Sequence, residues 1–85
     1  MTFALRPHVT LTSTDRGTVL FDLRHGRYFQ LNASGALIVR SLLGGATPRR
    51  AAELLSERYG VPADRTAADV SALLATLAEK KLATT

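Results

Sequence analysis

Few side chains in this sequence are suited to catalysis or metal binding. It contains two histidines, His8 and His25, and no cysteine. The lack of cysteine excludes disulfides, thiolate catalysis and cysteine-bound zinc. Histidines that bind a metal together usually lie at a short spacing on one element, whereas His25 falls in a predicted turn and His8 near a predicted strand start. We therefore expect two solvent-exposed histidines and no metal site.

The other candidates for catalysis have structural explanations. No serine lies in the strand–turn–helix setting of a nucleophile elbow. Gly44-Gly45 lacks the Lys-Ser/Thr pair of a phosphate loop, so we interpret it as a helix stop. Asp64 and Asp69 could form an acid/base pair, but aspartates near a helix N-terminus are usually caps and dipole partners. The sequence thus predicts no catalytic residue, no enzyme activity and no cofactor.

Length and charge narrow the remaining classes of protein. The 85 residues carry a formal net charge of +4, and 46% of them are hydrophobic. This length allows a single domain, residues 1–85. The unbroken apolar runs are short and the first residues do not resemble a signal peptide, so we expect a cytoplasmic protein without a membrane span. The positive charge favours nucleic acid or an acidic peptide as partner, without choosing between them.

The stretch 19–32 predicts a β-hairpin around which the rest is organised. Apolar and polar residues alternate on both sides of Arg24-His25-Gly26. We prefer a three-residue loop with Gly26 at positive φ, because a two-residue turn would scatter the large apolar side chains over both faces. The apolar residues that then share one face are Val19, Phe21, Leu23, Phe29 and Leu31. The residues that point the other way are Asp22, Arg24, Tyr28 and Gln30.

The flanking segments predict one more strand and three helices. Residues 8–12 predict a first strand with Val9 and Leu11 inward, preceded by a loose extended arm at residues 3–6. Three successive strands place residues 27–31 at the edge of an antiparallel sheet. The predicted fold class is α+β: a three-stranded antiparallel sheet followed by three helices, like a winged helix-turn-helix.

Capping signals set the predicted helix boundaries. Asn32 caps a helix over residues 33–43, and Thr47-Pro48 begins a second helix that ends at Gly60. Asp64 or Thr66 caps a third helix that runs to about Lys81. The residues expected to face inward are Ala51, Ala52, Leu55 and Tyr59 on the second helix and Val70, Leu73, Leu74 and Leu77 on the third.

A small winged-helix DNA-binding protein is the alternative that we keep. The basic residues are scattered, however, and the third helix, which would enter the groove, carries Asp64 and Asp69 near its start. Carboxylates repel phosphate, so we expect no nucleic-acid partner. An interaction subunit without peptide specificity is a third possibility.

The edge strand offers a peptide-binding site instead. An extended peptide can pair with residues 27–31 as a fourth strand, with alternate side chains entering pockets. About four main-chain hydrogen bonds give roughly 4 kcal/mol, whereas association costs an estimated 4–15 kcal/mol, so buried anchors are required. The residues that could form their pockets are Tyr28, Phe29, Val70, Leu73 and Leu77. A small core needs Phe29, Leu73 and Leu77 in any case, and we expect Tyr28 and Val70 to be only partly buried.

The order and spacing of several segments resemble the PqqD-like family. The segments are residues 22–32, Ser34-Gly35-Ala36, Gly44-Gly45-Ala46-Thr47, residues 51–55, Tyr59-Gly60-Val61, Asp69-Val70 and residues 73–77. This family comprises the peptide-recognition elements of pathways that make ribosomally synthesised, modified peptides. A free-standing copy of this length is most similar to the leader-binding protein of lasso-peptide biosynthesis, which delivers the precursor to a separate leader peptidase.

The resemblance implies that the leader binds as an extra antiparallel strand on the third strand, beside the third helix. The implied peptide-binding residues are Arg27, Tyr28, Phe29, Gln30, Leu31, Asp69, Val70, Leu73, Leu77 and Lys80. Arg27 and Lys80 either attract leader carboxylates or are surface charges of little energetic weight. Asp69 either pairs with a basic or N–H group of the leader or is a solvent-exposed cap. The implied partners are the precursor leader peptide and the leader peptidase, with the cyclase as a further candidate.

Overall fold

The computed structural model describes residues 3–84, which form two small antiparallel sheets and three helices. In chain order the elements are β1 (Ala4–Leu5), β2 (Val9–Thr14), β3 (Gly17–Asp22), β4 (Arg27–Leu31), α1 (Ala33–Leu43), α2 (Pro48–Tyr59), α3 (Ala63–Glu79) and β5 (Ala83–Thr84). The larger sheet has the order β2-β3-β4, and β1 pairs with β5. The predicted α+β class with three sheet strands and three helices is confirmed.

The register of the β3–β4 hairpin differs from the predicted one. Asp22 pairs with Arg27 and Phe21 with Tyr28, so the loop contains four residues, 23–26, instead of three. Gly26 has the expected positive φ, 63°. A shift of one residue turns every side chain of a strand to the other face of the sheet.

As a result, β4 presents the predicted face to the core and β3 presents the opposite one. Leu20 and Asp22 are fully buried, whereas Phe21 is 39% exposed and Leu23 is 63% exposed. The prediction failed because it placed Val19, Phe21 and Leu23 inward and Asp22 outward. The structure accepts two exposed apolar side chains in order to bury one carboxylate, whose hydrogen bonds are described below.

Local signals placed the first two helices correctly. The Asn32 side chain accepts a hydrogen bond from the Gly35 amide at 2.8 Å, and α1 ends at the predicted residue. Thr47 caps α2 by accepting from the Arg50 amide at 3.1 Å, and Gly60 ends it in the left-handed region. Tyr59 is an error of the prediction: it is 46% exposed, because it borders an open cleft instead of the core.

The third helix begins without the predicted side-chain cap. It starts at Ala63 directly after Pro62, and neither Asp64 nor Thr66 caps it. Thr66 is buried and donates its hydroxyl proton to the Ala52 carbonyl at 2.8 Å, which ties α3 to α2. The helix ends at Glu79, slightly before the predicted boundary, and Lys81 follows in the left-handed region with φ of 59°.

The core consists of two neighbouring clusters. The first lies between the larger sheet, α1 and the chain around α3 and β5, and includes Leu20, Leu31, Val39, Leu77 and Leu82. The second lies among the three helices and includes Ile38, Leu42, Ala51, Leu55 and Val70. Leu73 packs against both clusters, so α3 connects them.

The N-terminal segment is extended as predicted but is not a loose arm. Ala4 pairs with Thr84 and Leu5 with Ala83, which joins the two ends of the described chain. None of the helices within residues 3–84 combines the length and the apolar character required to cross a membrane.

Candidate peptide-binding site

In the part of the chain that the structure describes, the outer edge of β4 is unpaired. Within residues 3–84, β4 has a neighbouring strand, β3, on one side only. In an antiparallel sheet, alternate residues direct their backbone N–H and C=O groups to opposite sides of the strand. β4 therefore presents backbone donors and acceptors to an incoming chain.

A groove of about 420 Å³ lies beside this edge, between β4 and α3. The residues that line it are Phe29, Asn32, Ser34, Gly35, Ile38, Asp69, Ala72, Leu73 and Thr76. The four contributed by α3 lie at positions i, i+3, i+4 and i+7, which share one face of a helix. An extended segment added to β4 would place every second side chain in this groove.

Phe29, Asp69 and Leu73 are the predicted site residues that the structure brings together here. Phe29 and Leu73 are half-buried, so each keeps accessible apolar surface while it also packs against the core. The Lys80 ammonium lies 5.9 Å from the centre of the Phe29 ring, within the range of a cation–π contact. Lys80 thus stands at one end of the groove.

Three other predicted residues belong to the core. Val70 is 1% exposed, Leu77 is fully buried and Leu31 is 5% exposed. The expectation that Val70 is only partly buried is wrong. α3 has two distinct faces: Val70 and Leu77, seven residues apart, face the core, whereas Asp69 and Leu73 face the groove.

Tyr28 and Gln30 point away from the core face of the sheet. Tyr28 is 68% exposed and pairs with Phe21 across the hairpin, outside the groove. The Gln30 side chain donates a hydrogen bond to the Arg16 carbonyl at 2.9 Å and so fixes the β2–β3 turn against β4. These two residues would contact the outward-facing side chains of an added strand.

Arg27 is engaged by the protein itself. Its Nε donates to the Asp22 carboxylate at 2.9 Å and its Nη2 donates to the Lys80 carbonyl at 2.7 Å. The ion pair with Asp22 therefore competes with the predicted attraction of Arg27 to leader carboxylates. The second bond joins the start of β4 to the end of α3.

Asp22 organises the polar contacts around the hairpin loop. Its carboxylate accepts from the Arg24 and His25 amides at 3.0 and 3.1 Å and from His25 Nδ1 and Arg27 Nε at 2.9 Å each. Burial by itself raises the pKa of Asp22, but the hydrogen bonds from Arg27 and His25 outweigh burial and hold the pKa well below its usual range. Asp22 is thus a buried anion that is fully hydrogen-bonded.

Comparisons with known proteins identify the family of the chain. The family model described as coenzyme PQQ synthesis protein D matches residues 17–83. The chain belongs to the PqqD family. Comparison with curated proteins finds no match.

Two solved structures resemble this PqqD-family protein over nearly its whole length. One is described as lasso peptide synthetase B1 complexed with the leader peptide; it is 40% identical, has a TM-score of 0.95, and 100% of each chain is covered. The other is TbiB1 in complex with the TbiA(beta) leader peptide, 29% identical with a TM-score of 0.84, covering 98% of this chain and 94% of that one. The resemblance to PqqD-like recognition elements is confirmed.

Of the two histidines of this PqqD-family protein, His25 is exposed as predicted, whereas the His8 side chain is only 20% exposed. His8 Nε2 is 3.8 Å from one Asp22 oxygen, and His25 Nδ1 is 2.9 Å from the other. The three possible ligand atoms lie within 4.8 Å of one another. The Asp22 carboxylate, however, already accepts two hydrogen bonds on each oxygen, and the Arg27 cation lies against it. We therefore assign the cluster a structural role.

Sequence reasoning missed several groove residues of this PqqD-family protein. Ala72 and Thr76 follow Asp69 by three and seven residues, so helical spacing alone could have identified them. Asn32 and Ser34 directly follow β4, where any chain that extends along the strand must pass. Gly35 is buried, and a Cβ there would lie 3.1 Å from Asn32 Oδ1 and 3.4 Å from the Leu31 side chain, so its role is a close packing contact that the sequence pattern did not indicate.

Proposed function

We propose that this PqqD-family protein binds the leader region of a ribosomally made precursor peptide in the cytoplasm and presents it to the leader peptidase of a lasso-peptide pathway. The observation that carries the proposal is the unpaired edge of β4 beside a groove with accessible apolar surface. The similarity to two leader-peptide complexes supports it. In this proposal the protein binds and positions the peptide, and the peptidase performs the hydrolysis.

The proposed mode of binding is antiparallel strand addition to β4. Backbone hydrogen bonds at about 1 kcal/mol each cannot by themselves offset an association cost of about 4 kcal/mol or more. The additional free energy comes from side chains of the leader that bury apolar surface between Phe29 and Leu73. The alternate side chains of the leader point to the other face of the sheet and lie along Tyr28. They contribute less binding free energy, because that face of the sheet is exposed.

The two ends of the groove have different surroundings, and antiparallel pairing with β4 decides which side of the leader lies at each end. At the hairpin-loop end, the Arg27 guanidinium donates to the Lys80 carbonyl and joins the start of β4 to the end of α3. The other end is lined by Asn32 and Ser34 and continues into a second cleft. A leader antiparallel to β4 has its N-terminal side at the Asn32 end and its C-terminal side, which leads to the core peptide, at the hairpin loop.

A blocking substitution on α3 tests the groove. Ala72 is exposed and lines the groove, so Ala72→Arg should fill it with a long side chain without disturbing the core. Ala78→Arg is the matched control, because Ala78 is exposed on the opposite face of the same helix. In a titration of labelled leader peptide, we expect Ala72→Arg to weaken binding by about tenfold or more, roughly 1.4 kcal/mol, and Ala78→Arg to change it little.

Equal affinities of the two variants would contradict the proposed groove, provided that both melt like the wild type. The presentation step has a separate assay. Adding the wild-type protein should accelerate cleavage of the precursor by the peptidase, and Ala72→Arg should lose that acceleration. Cleavage that is independent of this protein would contradict the presentation role without affecting the binding site.

A further inference from the structure

A second cavity lies at the carboxyl end of β4 and is lined by three arginines. It measures about 690 Å³ and is bounded by the start of β3, the end of β4 and the facing surfaces of α1 and α2. Arg16 reaches it from the β2–β3 turn, Arg40 from α1 and Arg58 from the last turn of α2. Among the described residues, 3–84, no acidic residue lines this cavity, which we call the arginine cavity.

The positive charge of the arginine cavity is not neutralised by the protein. Within residues 3–84, the arginines with a carboxylate oxygen inside 4 Å are Arg27 and Arg50, and neither lines the cavity. Arg40 donates to the hydroxyl oxygens of Ser13 and Thr18, at 2.7 and 3.3 Å, which hold its guanidinium in place without cancelling its charge. Guanidinium groups that line one cavity without counter-charges favour an anion, and carboxylate is the planar anion that they bind in a bidentate manner.

The arginine cavity is continuous with the peptide groove. A cleft of about 440 Å³ lies between them. It shares Asn32 and Tyr59 with the arginine cavity, and Ser34 and Asp69 with the groove beside β4. A peptide that extends beyond the Asn32 end of the groove therefore reaches the arginines within a few residues, at about 3.3 Å per extended residue.

We infer that the arginine cavity binds the carboxylates of an acidic segment in the leader, located on the N-terminal side of the residues that pair with β4. The inference rests on the proposed function, because antiparallel addition is what places that side of the leader at Leu31 and Asn32. It assigns the leader two recognition elements: an apolar strand for the groove and an acidic segment for the arginines. The acidic element would add affinity and fix the direction of the peptide.

Two double variants with the same net charge test the inference. Arg16→Gln/Arg58→Gln removes two cavity charges, and Arg49→Gln/Arg65→Gln removes two exposed charges elsewhere. Arg40 is left unchanged, since it also bonds to Ser13 and Thr18. By fluorescence anisotropy with the labelled leader, we expect the cavity variant to weaken binding by about fivefold or more and to reduce its salt dependence. The control variant should change affinity less than about twofold.

A truncated leader separates this inference from the proposed function. A peptide without the residues that precede the strand-forming segment should bind the wild type and both double variants alike. That result, together with loss of affinity of the full leader for the cavity variant alone, supports the acidic element. If the full leader binds and both double variants change its affinity equally, the inference is wrong, but the proposed binding groove is not contradicted.

A probe that does not need the groove provides an independent measurement. We expect a hexaglutamate peptide to shift the side-chain Nε signals of Arg16 and Arg58 in the ¹⁵N-arginine NMR spectrum, and not those of Arg49 and Arg65. Uniform small shifts, or none, would overturn the arginine cavity as an anion site. Larger shifts with random duplex DNA than with either peptide would overturn the assigned occupant, and failure of the leader to bind at all would overturn both proposals.

Discussion

Asp22 shows how one residue decides the register of the hairpin. A buried carboxylate is costly unless every lone pair is used, and here two backbone amides, an imidazole and a guanidinium use them. The alternation of apolar residues predicted the wrong inward face for β3, because that pattern does not take the hydrogen bonds of the Asp22 carboxylate into account. An aspartate immediately before a loop that contains a glycine is the signal to look for, since it can bond to amides two and three residues ahead.

Replacing this carboxylate should destabilise the protein. Asp22→Asn puts an amide N–H₂ among donors, so at least one hydrogen bond to Arg27 or His25 is lost in a buried position. We expect the melting temperature at neutral pH to fall by several degrees. Asp15→Asn, which changes the same charge in an exposed turn, should leave it nearly unchanged. Equal melting temperatures of the two variants would show that Asp22 does not set the hairpin.

The lowered pKa of Asp22 predicts how the contribution of this carboxylate to stability depends on pH. Because the folded-state pKa lies below the unfolded value of about 3.9, the stabilisation is complete above that pH and is lost as the pH falls through the folded-state pKa. The difference in unfolding free energy between wild type and Asp22→Asn, measured with urea, should shrink between about pH 6 and about pH 2. A difference that grows towards acid pH would contradict this account.

At the scale of elements, local signals predicted the helices well. Asn32, Thr47-Pro48 and Gly60 each act through atoms within a few residues, so their caps follow from the sequence alone. α3 departs from this rule. Thr66 is recruited by the Ala52 carbonyl, fourteen residues earlier in the chain, and a contact between helices leaves no local trace.

Two glycines at helix ends provide a matched pair. Gly60 has φ of 65°, and a Cβ there would meet no atom within 4 Å, so the cost of Gly60→Ala is purely conformational. We expect Gly60→Ala to lower the free energy of unfolding by about 1 kcal/mol. Gly44 has φ of −79°, and Gly44→Ala should cost distinctly less. Urea denaturation measures both; a Gly44→Ala cost as large as that of Gly60→Ala would refute the conformational explanation.

At the scale of the whole molecule, the sequence predicted the fold class and the edge strand. It did not predict the pairing of the two ends of the described chain or the exact lining of the groove. The β1–β5 pairing joins Ala4 to Thr84, and no local sequence pattern predicts pairing between residues so far apart in the chain. The resemblance to PqqD-like proteins located the groove in outline, since it implied a cleft between the third strand and the third helix. The residues that line the groove were not all predicted, because α3 is apolar on more than one face. Only packing decides whether Val70 or Ala72 faces the groove.

The most direct measurement of the central claim is hydrogen exchange of the backbone amides with and without leader peptide. If the leader adds to β4 as a strand, the outward-facing amides of Arg27–Leu31, every second residue, should exchange more slowly when it is bound. The amides of β2, the opposite edge of the same sheet, serve as the internal control and should not change. Slowing confined to β2, or a leader that binds without protecting any β4 amide, would contradict strand addition.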